Sequence, residues 1–210
     1  MTTRLILVGG GGFGRELINW ADHAAAQSGG SRFQGFLDSN PDALAKFNYK
    51  LAWLGSPDDF QPEPQDRLVL AIGDPAIKRK VVAMLRAKGA QFASLIHPSA
   101  VVAHTAVLSE GVILCPHTVV SADAFLGEFT VINALSSIGH DVHLGAYSTL
   151  SAHVDVTGFV TVGEGSFFGT GAKVLPKVKI GARARIGAGT TIMRAVPDDA
   201  TMYILPAKRM

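Results

Sequence analysis

Apolar residues recur at every sixth position between positions 96 and 192. The series is Ile96, Val102, Leu108, Leu114, Val120, Leu126, Ile132, Ile138, Leu144, Leu150, Val156, Val162, Phe168, Val174, Ile180, Ile186 and Ile192, 17 positions without a gap. With about a third of positions occupied by Ile, Leu, Val or Phe in an average composition, chance yields such a run roughly once in 10⁸ trials. A period of six is neither the 3.6 of a helix nor the alternation of an open sheet. It predicts a hexapeptide-repeat parallel β-helix, in which three short faces close one coil of about 18 residues. Prisms of this repeat wind left-handed, against the usual right-handed crossover.

One apolar side chain per face then points into the prism and stacks on its counterpart one coil later, which buries a surface that no coil could bury alone. The residue two before each apolar one is small or β-branched, as at Ala100, Ala106, Val112, Thr118, Ala124, Thr130, Ser136, Val142 and Ser148, and is also expected to point inward. The residue after is often glycine (Gly127, Gly139, Gly145, Gly163, Gly169, Gly181, Gly187), which suits the backbone conformations of tight corners. About five coils fit the span. Beyond Ile192 the period stops, and residues 193–210 read as a closing segment over an end that would otherwise invite edge pairing.

The first 95 residues follow another pattern. Residues 4–8, 33–37 and 68–72 are short apolar runs, and residues 15–26 and the stretch from 75 through 88 have helical composition. Strands alternating with helices predict a small Rossmann-like parallel α/β domain over 1–95, followed by a β-helix domain over 96–210. Gly9, Gly11 and Gly14 satisfy G-x-G-x-x-G between the first strand and the first helix, with Gly12 and Phe13 inside the loop. In that context the glycines let the backbone approach a phosphate at a helix N-terminus. Asp38 closes the second apolar run, near where an acid meets a ribose hydroxyl or a base edge. The domain is short for a full dinucleotide fold, so it favours a mononucleotide or a sugar nucleotide over NAD.

Composition narrows the partners. A net charge of +2 without a long basic run argues against nucleic acid. One cysteine, Cys115, excludes an intrachain disulfide and fits a reducing compartment. No apolar stretch is long enough to span a membrane, and the N-terminus lacks a signal-peptide layout, so a cytoplasmic protein is expected.

The glycine loop, the turn Ala71-Ile72-Gly73-Asp74, the link Leu95-Ile96-His97-Pro98-Ser99-Ala100, the corner Ile138-Gly139-His140-Asp141 and the tail Pro206-Ala207-Lys208-Arg209-Met210 occur in that order. Together they resemble the sugar acyltransferases that include the bacillosamine-pathway and perosamine N-acetyltransferases and the sialic acid O-acetyltransferase group. The resemblance spans essentially the whole chain. It implies acetyl-CoA as donor, with no metal, and a nucleotide-linked amino-deoxysugar as acceptor. It also implies a homotrimer with its sites in the clefts between prisms. The family's catalytic histidine falls on His140, the acid after it on Asp141, and an asparagine near the site on Asn133. The loop Gly9–Gly14, Asp38, Gly73 and Asp74 fall where the sugar nucleotide is held. Coenzyme A would run along the later coils, past Gly169, Gly171 and Gly187, with Lys173, Lys177, Lys208 and Arg209 as phosphate contacts; Lys179, Arg183 and Arg185 are further basic candidates there. Many relatives carry histidine where this chain has Phe13, which removes a polar contact beside the sugar.

The residues support that assignment on their own chemistry. His140 stands two residues after an inward Ile138, at a coil corner rather than inside the prism. An imidazole exchanges its proton near neutrality, as a general base must, and an adjacent carboxylate fixes its tautomer. Attack of an amine or a hydroxyl on a thioester needs that base. Transfer to an amino group is the leading expectation. O-acetylation on the same scaffold and a non-catalytic sugar-nucleotide-binding trimer are the alternatives. His97, beside Pro98, reads as structural, and His143 should face outward. Zinc carbonic anhydrases also use such prisms, pairing two histidines five residues apart, and no two histidines here have that spacing.

Overall fold

The computed structural model describes residues 3–205. The chain divides into two compact units, Met1–Pro98 and Ser99–Met210. Lys208 and Arg209 lie outside the described residues.

In the first unit a central strand β1 (Arg4–Val8) is followed by helix α1 (Gly12–Ser28), strand β2 (Phe33–Leu37), strand β3 (Asp66–Leu70), helix α2 (Pro75–Ala87) and a two-residue strand, Leu95–Ile96. The sheet is parallel in the order β2-β1-β3. Its middle strand is almost wholly buried, as a continuous apolar run predicts for parallel β-structure. Arg4 opens β1 opposite Asp66, which opens β3. Its guanidinium donates from Nε and Nη2 to the two carboxylate oxygens at 2.6 and 2.9 Å. Helix α1 starts at Gly12, earlier than the expected start at Arg15. Gly14 therefore lies in its first turn, where a Cβ would sit 2.1 Å from the carbonyl oxygen of Gly9, so only glycine lets the helix approach the strand end this closely. Helix α2 starts where sequence predicts: Asp74 caps it by accepting from the N–H groups of Ala76 and Ile77 at 2.9 and 3.0 Å, with Pro75 at the first helical position.

The second unit is a left-handed parallel β-helix of about six turns. Its two-residue strands stack in three ladders. One ladder runs from Val101–Val102 to Thr191–Ile192, a second from Val107–Leu108 to Lys179–Ile180, and a third from Ile113–Leu114 to Thr201–Met202. Each strand pairs in register with its counterpart one coil on, for example Val120 with Ile138 and Ile138 with Val156. The sixth-position residues form one buried column system, Ile138, Leu144, Leu150, Val156 and Phe168 being fully buried. Each fully buried aliphatic side chain contributes on the order of 1.5–3 kcal/mol. The positions two before them are buried too, and the hydroxyls there mostly bond coil backbone, as when Ser136 Oγ donates to the Ser151 carbonyl and accepts from the Val154 N–H, both at 3.0 Å.

Two features differ from the sequence expectation. The helix gains a turn because the chain after Ile192 keeps coiling. Val196 bridges Ile180, and Thr201–Met202 pairs with Arg185–Ile186, both across a coil shorter than those before it. The shorter coil breaks the six-residue count while continuing the prism. The glycines directly after the apolar positions, moreover, are not the residues in left-handed backbone. That conformation falls three residues after each apolar position from Leu108 to Ile186, at Gly111, Gly165, Gly171 and Gly189 and at His117, Asp123, Phe129, Leu135, Asp141, Tyr147, His153, Phe159, Lys177 and Arg183, the last ten with φ of 56–63°. The glycines directly after the apolar positions are required by close approach between coils. A Cβ at Gly127 would stand 2.5 Å from the Ala146 nitrogen, and one at Gly163 would stand 2.4 Å from that of Ala182. These left-handed residues donate their N–H groups to the preceding coil, as Asp141 does to the Ala122 carbonyl at 3.0 Å, and such bonds offset the backbone cost.

Candidate active site

His140 follows the strand Ser137–Ile138 through Gly139 and turns outward at the corner. Its backbone is held from both sides, since Asp141 N–H donates to the coil before and Phe159 N–H donates to the His140 carbonyl at 3.0 Å. The imidazole Nδ1 lies 2.8 Å from Asp141 Oδ2. A carboxylate only accepts, so Nδ1 carries the proton and the Nε2 lone pair is left for chemistry. Both side chains are exposed. Phe159, one coil further along the same edge, meets the ring edge-on, with centroids 5.0 Å apart at 88°. Beneath the ring is Gly158, where a Cβ would fall 2.6 Å from both Cε1 and Nε2 of His140. Sequence reasoning missed Gly158, although its place one coil after His140 marks it as the ring's neighbour.

The remaining predicted residues of this unit sort onto edges of the prism. Lys177 shares the His140 edge: its N–H donates to the Gly158 carbonyl at 3.0 Å. Asn133 and the glycines Gly169 and Gly187, separated by whole coils, form a column on the neighbouring edge, with Gly171 two residues after Gly169. Asn133 Oδ1 accepts from the Ala134 N–H at 2.6 Å, and its amide nitrogen has no partner among the described residues. Within one chain, His140 and Asn133 therefore stand on different edges. Lys173 projects from the face between those two edges. Arg183 is committed to Asp199 by two bonds of 2.6 and 2.7 Å. A shallow groove of about 580 Å³ runs along the third edge, past Gly163, Lys179, Gly181 and Pro197.

In the first unit a cavity of about 330 Å³ opens at the C-terminal end of the sheet. Of the residues predicted to hold a nucleotide, Gly9 and Asp38 line it. Gly11, Gly12, Phe13 and Gly14 belong to the start of α1, and Gly73 and Asp74 to the entry of α2; none of these six lines the cavity. The carboxylate of Asp38 is engaged with the backbone, accepting from Gly10 N–H at 2.7 Å and Asn40 N–H at 2.9 Å, so it holds the glycine loop against the end of β2. Asp58, Ile77, Lys80 and Met84 also line the cavity and were not singled out from sequence. Among the described residues no group of three His, Cys, Asp or Glu side chains is placed to hold a metal ion, and no helix is long and apolar enough to cross a membrane.

Comparison with known proteins agrees with this architecture. The family model of the PglD N-terminal domain matches residues 4–85, and that of the bacterial transferase hexapeptide (six repeats) matches residues 159–194. A solved structure of a histidine-to-asparagine variant of perosamine N-acetyltransferase from Caulobacter crescentus, in complex with CoA and GDP-perosamine, is 30% identical. It superposes with a TM-score of 0.86 over 99% of this chain and 97% of that one. The acetyltransferase domain of PglB from Neisseria gonorrhoeae FA1090, in complex with acetyl coenzyme A, is 26% identical with a TM-score of 0.84 over the whole of both chains. WeeI from Acinetobacter baumannii AYE is 25% identical, with a TM-score of 0.82 over 95% of this chain and 96% of that one. No curated protein matches by sequence. By a 30% identity that runs the length of a solved relative, the chain belongs to the hexapeptide-repeat sugar acyltransferases, the family of the perosamine and bacillosamine N-acetyltransferases.

Proposed function

We propose that this chain transfers an acetyl group from acetyl-CoA to the amino group of a nucleotide-linked amino-deoxysugar, with His140 as general base. The observation that carries the reading is the 2.8 Å bond between His140 Nδ1 and Asp141, which leaves the Nε2 lone pair able to accept a proton on a side chain exposed at a corner. Nε2 takes the proton from the amine as its nitrogen bonds to the thioester carbonyl carbon. Asp141 stabilises the imidazolium so formed. As the tetrahedral adduct collapses and the carbon–sulfur bond breaks, His140 returns the proton to the departing thiolate. The products are the amide and free CoA thiol. Gly169, Gly171 and Gly187 leave their stretch of the neighbouring edge without side chains, bounded by the exposed Tyr203 against Gly187, and Lys173 on the adjoining face and Lys177 on the His140 edge supply cations for phosphate groups, so these residues fit coenzyme A. Asn133 and His140 stand on different edges, which a homotrimer would bring together between neighbouring prisms. Thiol release from acetyl-CoA in the presence of amino-sugar nucleotides tests the reading. His140→Ala should lose about 10²–10⁴ in kcat, and turnover within about threefold of wild type would remove His140 from the role of base.

A further inference from the structure

The cavity of the first unit sets an apolar wall beside one acidic and one basic residue whose charged groups have no partner among the described residues. One wall is a stripe of α2, with Ile77, Val81 and Met84 at helical spacing and Lys80 beside them. The opposite face of the same helix, with Pro75, Val82 and Leu85, packs into the core, so this stripe is surplus to folding. Ile77 is 56% exposed and Val81 and Met84 are half-buried, so the cavity wall is apolar and partly open to solvent. Leu37 and Ile72 complete an apolar slot that suits the faces of a planar ring.

The rim is rigid. Lys88 Nζ donates to the carbonyls of Pro57, Asp58 and Phe60, at 3.3 Å to Pro57 and 3.2 Å to Phe60. Asp59 Oδ2 accepts from Ser56 Oγ at 2.7 Å, and Ser56 Oγ accepts from Asp59 N–H at 3.1 Å. Asp59 is thus spent on its own turn and Asp38 on the glycine loop. Asp58 and Lys80 both line the cavity, and neither charged group has a partner among the described residues.

We infer that Asp58 makes the first unit selective for guanosine diphosphate as the nucleotide part of the acceptor. The inference rests on the sugar-nucleotide reading above and names its base. A carboxylate is an acceptor only. On its Watson–Crick edge guanine offers adjacent N1–H and N2–H donors, which a carboxylate takes as a charge-assisted pair. Uracil and thymine set a single N–H between two carbonyls that repel the carboxylate. Cytosine and adenine place a ring acceptor where guanine has N1–H. Lys80 is suited to the acceptors that guanine carries as O6 and N7.

Calorimetric titration of the full-length protein with GDP, UDP, dTDP and ADP tests this without turnover. GDP should bind at least about tenfold tighter than the other three. Asp58→Ala should bring GDP to the level of UDP while leaving the melting temperature unchanged, since the side chain is exposed, and Asp58→Glu should restore part of the preference. Equal or tighter binding of UDP, dTDP or ADP overturns the inference. So does a GDP preference that survives in Asp58→Ala, or no binding of any diphosphate. The transferase reading is judged separately: thiol release with a UDP-linked amino sugar, in a protein without GDP preference, would sink the base assignment alone.

Discussion

Replacing Gly158 by alanine separates the placement of His140 from the stability of the prism. The φ angle at Gly158 lies outside the left-handed range, so alanine can take up that backbone without strain. The nearest atoms to its Cβ all belong to the imidazole, with Cε1 and Nε2 at 2.6 Å. Non-bonded carbon atoms settle at about 3.5–4.0 Å, so the ring must move by about 1 Å. A displacement of that size in a reacting group costs on the order of 10²-fold. The Nδ1 bond to Asp141 tethers the ring on one side, and Phe159 limits its swing on another, so little of that shift is absorbed without moving Nε2. We expect Gly158→Ala to lower kcat about 10²-fold in the thiol-release assay, with a melting temperature close to that of wild type. The double variant Gly158→Ala/His140→Ala should be no slower than His140→Ala alone, because both changes remove the same proton transfer. A kcat within about threefold of wild type in Gly158→Ala, or additive losses in the double variant, would refute the idea that Gly158 acts through the ring.

Two further outcomes are expected, one from the Arg4–Asp66 pair and one from the proposed site shared between chains. Burial alone would raise the Asp66 carboxyl, but the Arg4 hydrogen bond, the Glu63 N–H and the charges of Arg4 and Arg67 outweigh it and hold the group below its ordinary value. A depressed folded value means stability present above the unfolded carboxyl range, about pH 4, and lost as pH falls through the folded value. Asp66→Asn should therefore cost about 2–3 kcal/mol at neutral pH and flatten the acid limb of a melting-temperature profile; an unchanged acid limb would show that the pair does not carry it. Light scattering of the purified protein should give three times the chain mass, and a monomer at micromolar concentration would leave Asn133 and His140 unable to share a site.

The prism was legible because its core obeys one rule for 17 positions, and no surface chemistry interferes with that rule. What the period could not convey was the reason for each glycine. A repeat marks that Gly127 and Gly163 follow an apolar residue, but only the packed coils reveal that a Cβ there would enter the backbone of the next turn. The same gap hid Gly158, whose need for a bare Cα comes from a ring on the coil before it. The final turn escaped because its coil is shorter than the rest, so that Val196 and Met202 lie off the six-residue count. In the first unit the strand–glycine–helix order was clear. Asp58 and Lys80 carry no pattern at all: one sits in a loop fixed by Lys88, the other on a helix face whose partner is a cavity.

The repeat also explains how such a fold can carry specific chemistry without loops. Inward positions are constrained to apolar or small residues by the neighbouring coils. A corner residue has its backbone N–H satisfied by the coil before it, as at Asp141, Phe159 and Lys177. With its backbone fixed by the prism, a corner side chain can be spent on packing, as Phe129 is, or left exposed for chemistry, as His140 and Asp141 are. Asp123, Asp141, Phe159 and Lys177 follow one another along a single edge, one on each successive coil, and they share nothing but their backbone conformation. Coils stacked at strand spacing set their side chains about 5 Å apart, the distance over which an imidazole can take a carboxylate on one side and an aromatic edge on another. The edge is thus a row of rigid sockets, and His140 draws its tautomer from its own socket and its seat from the next one.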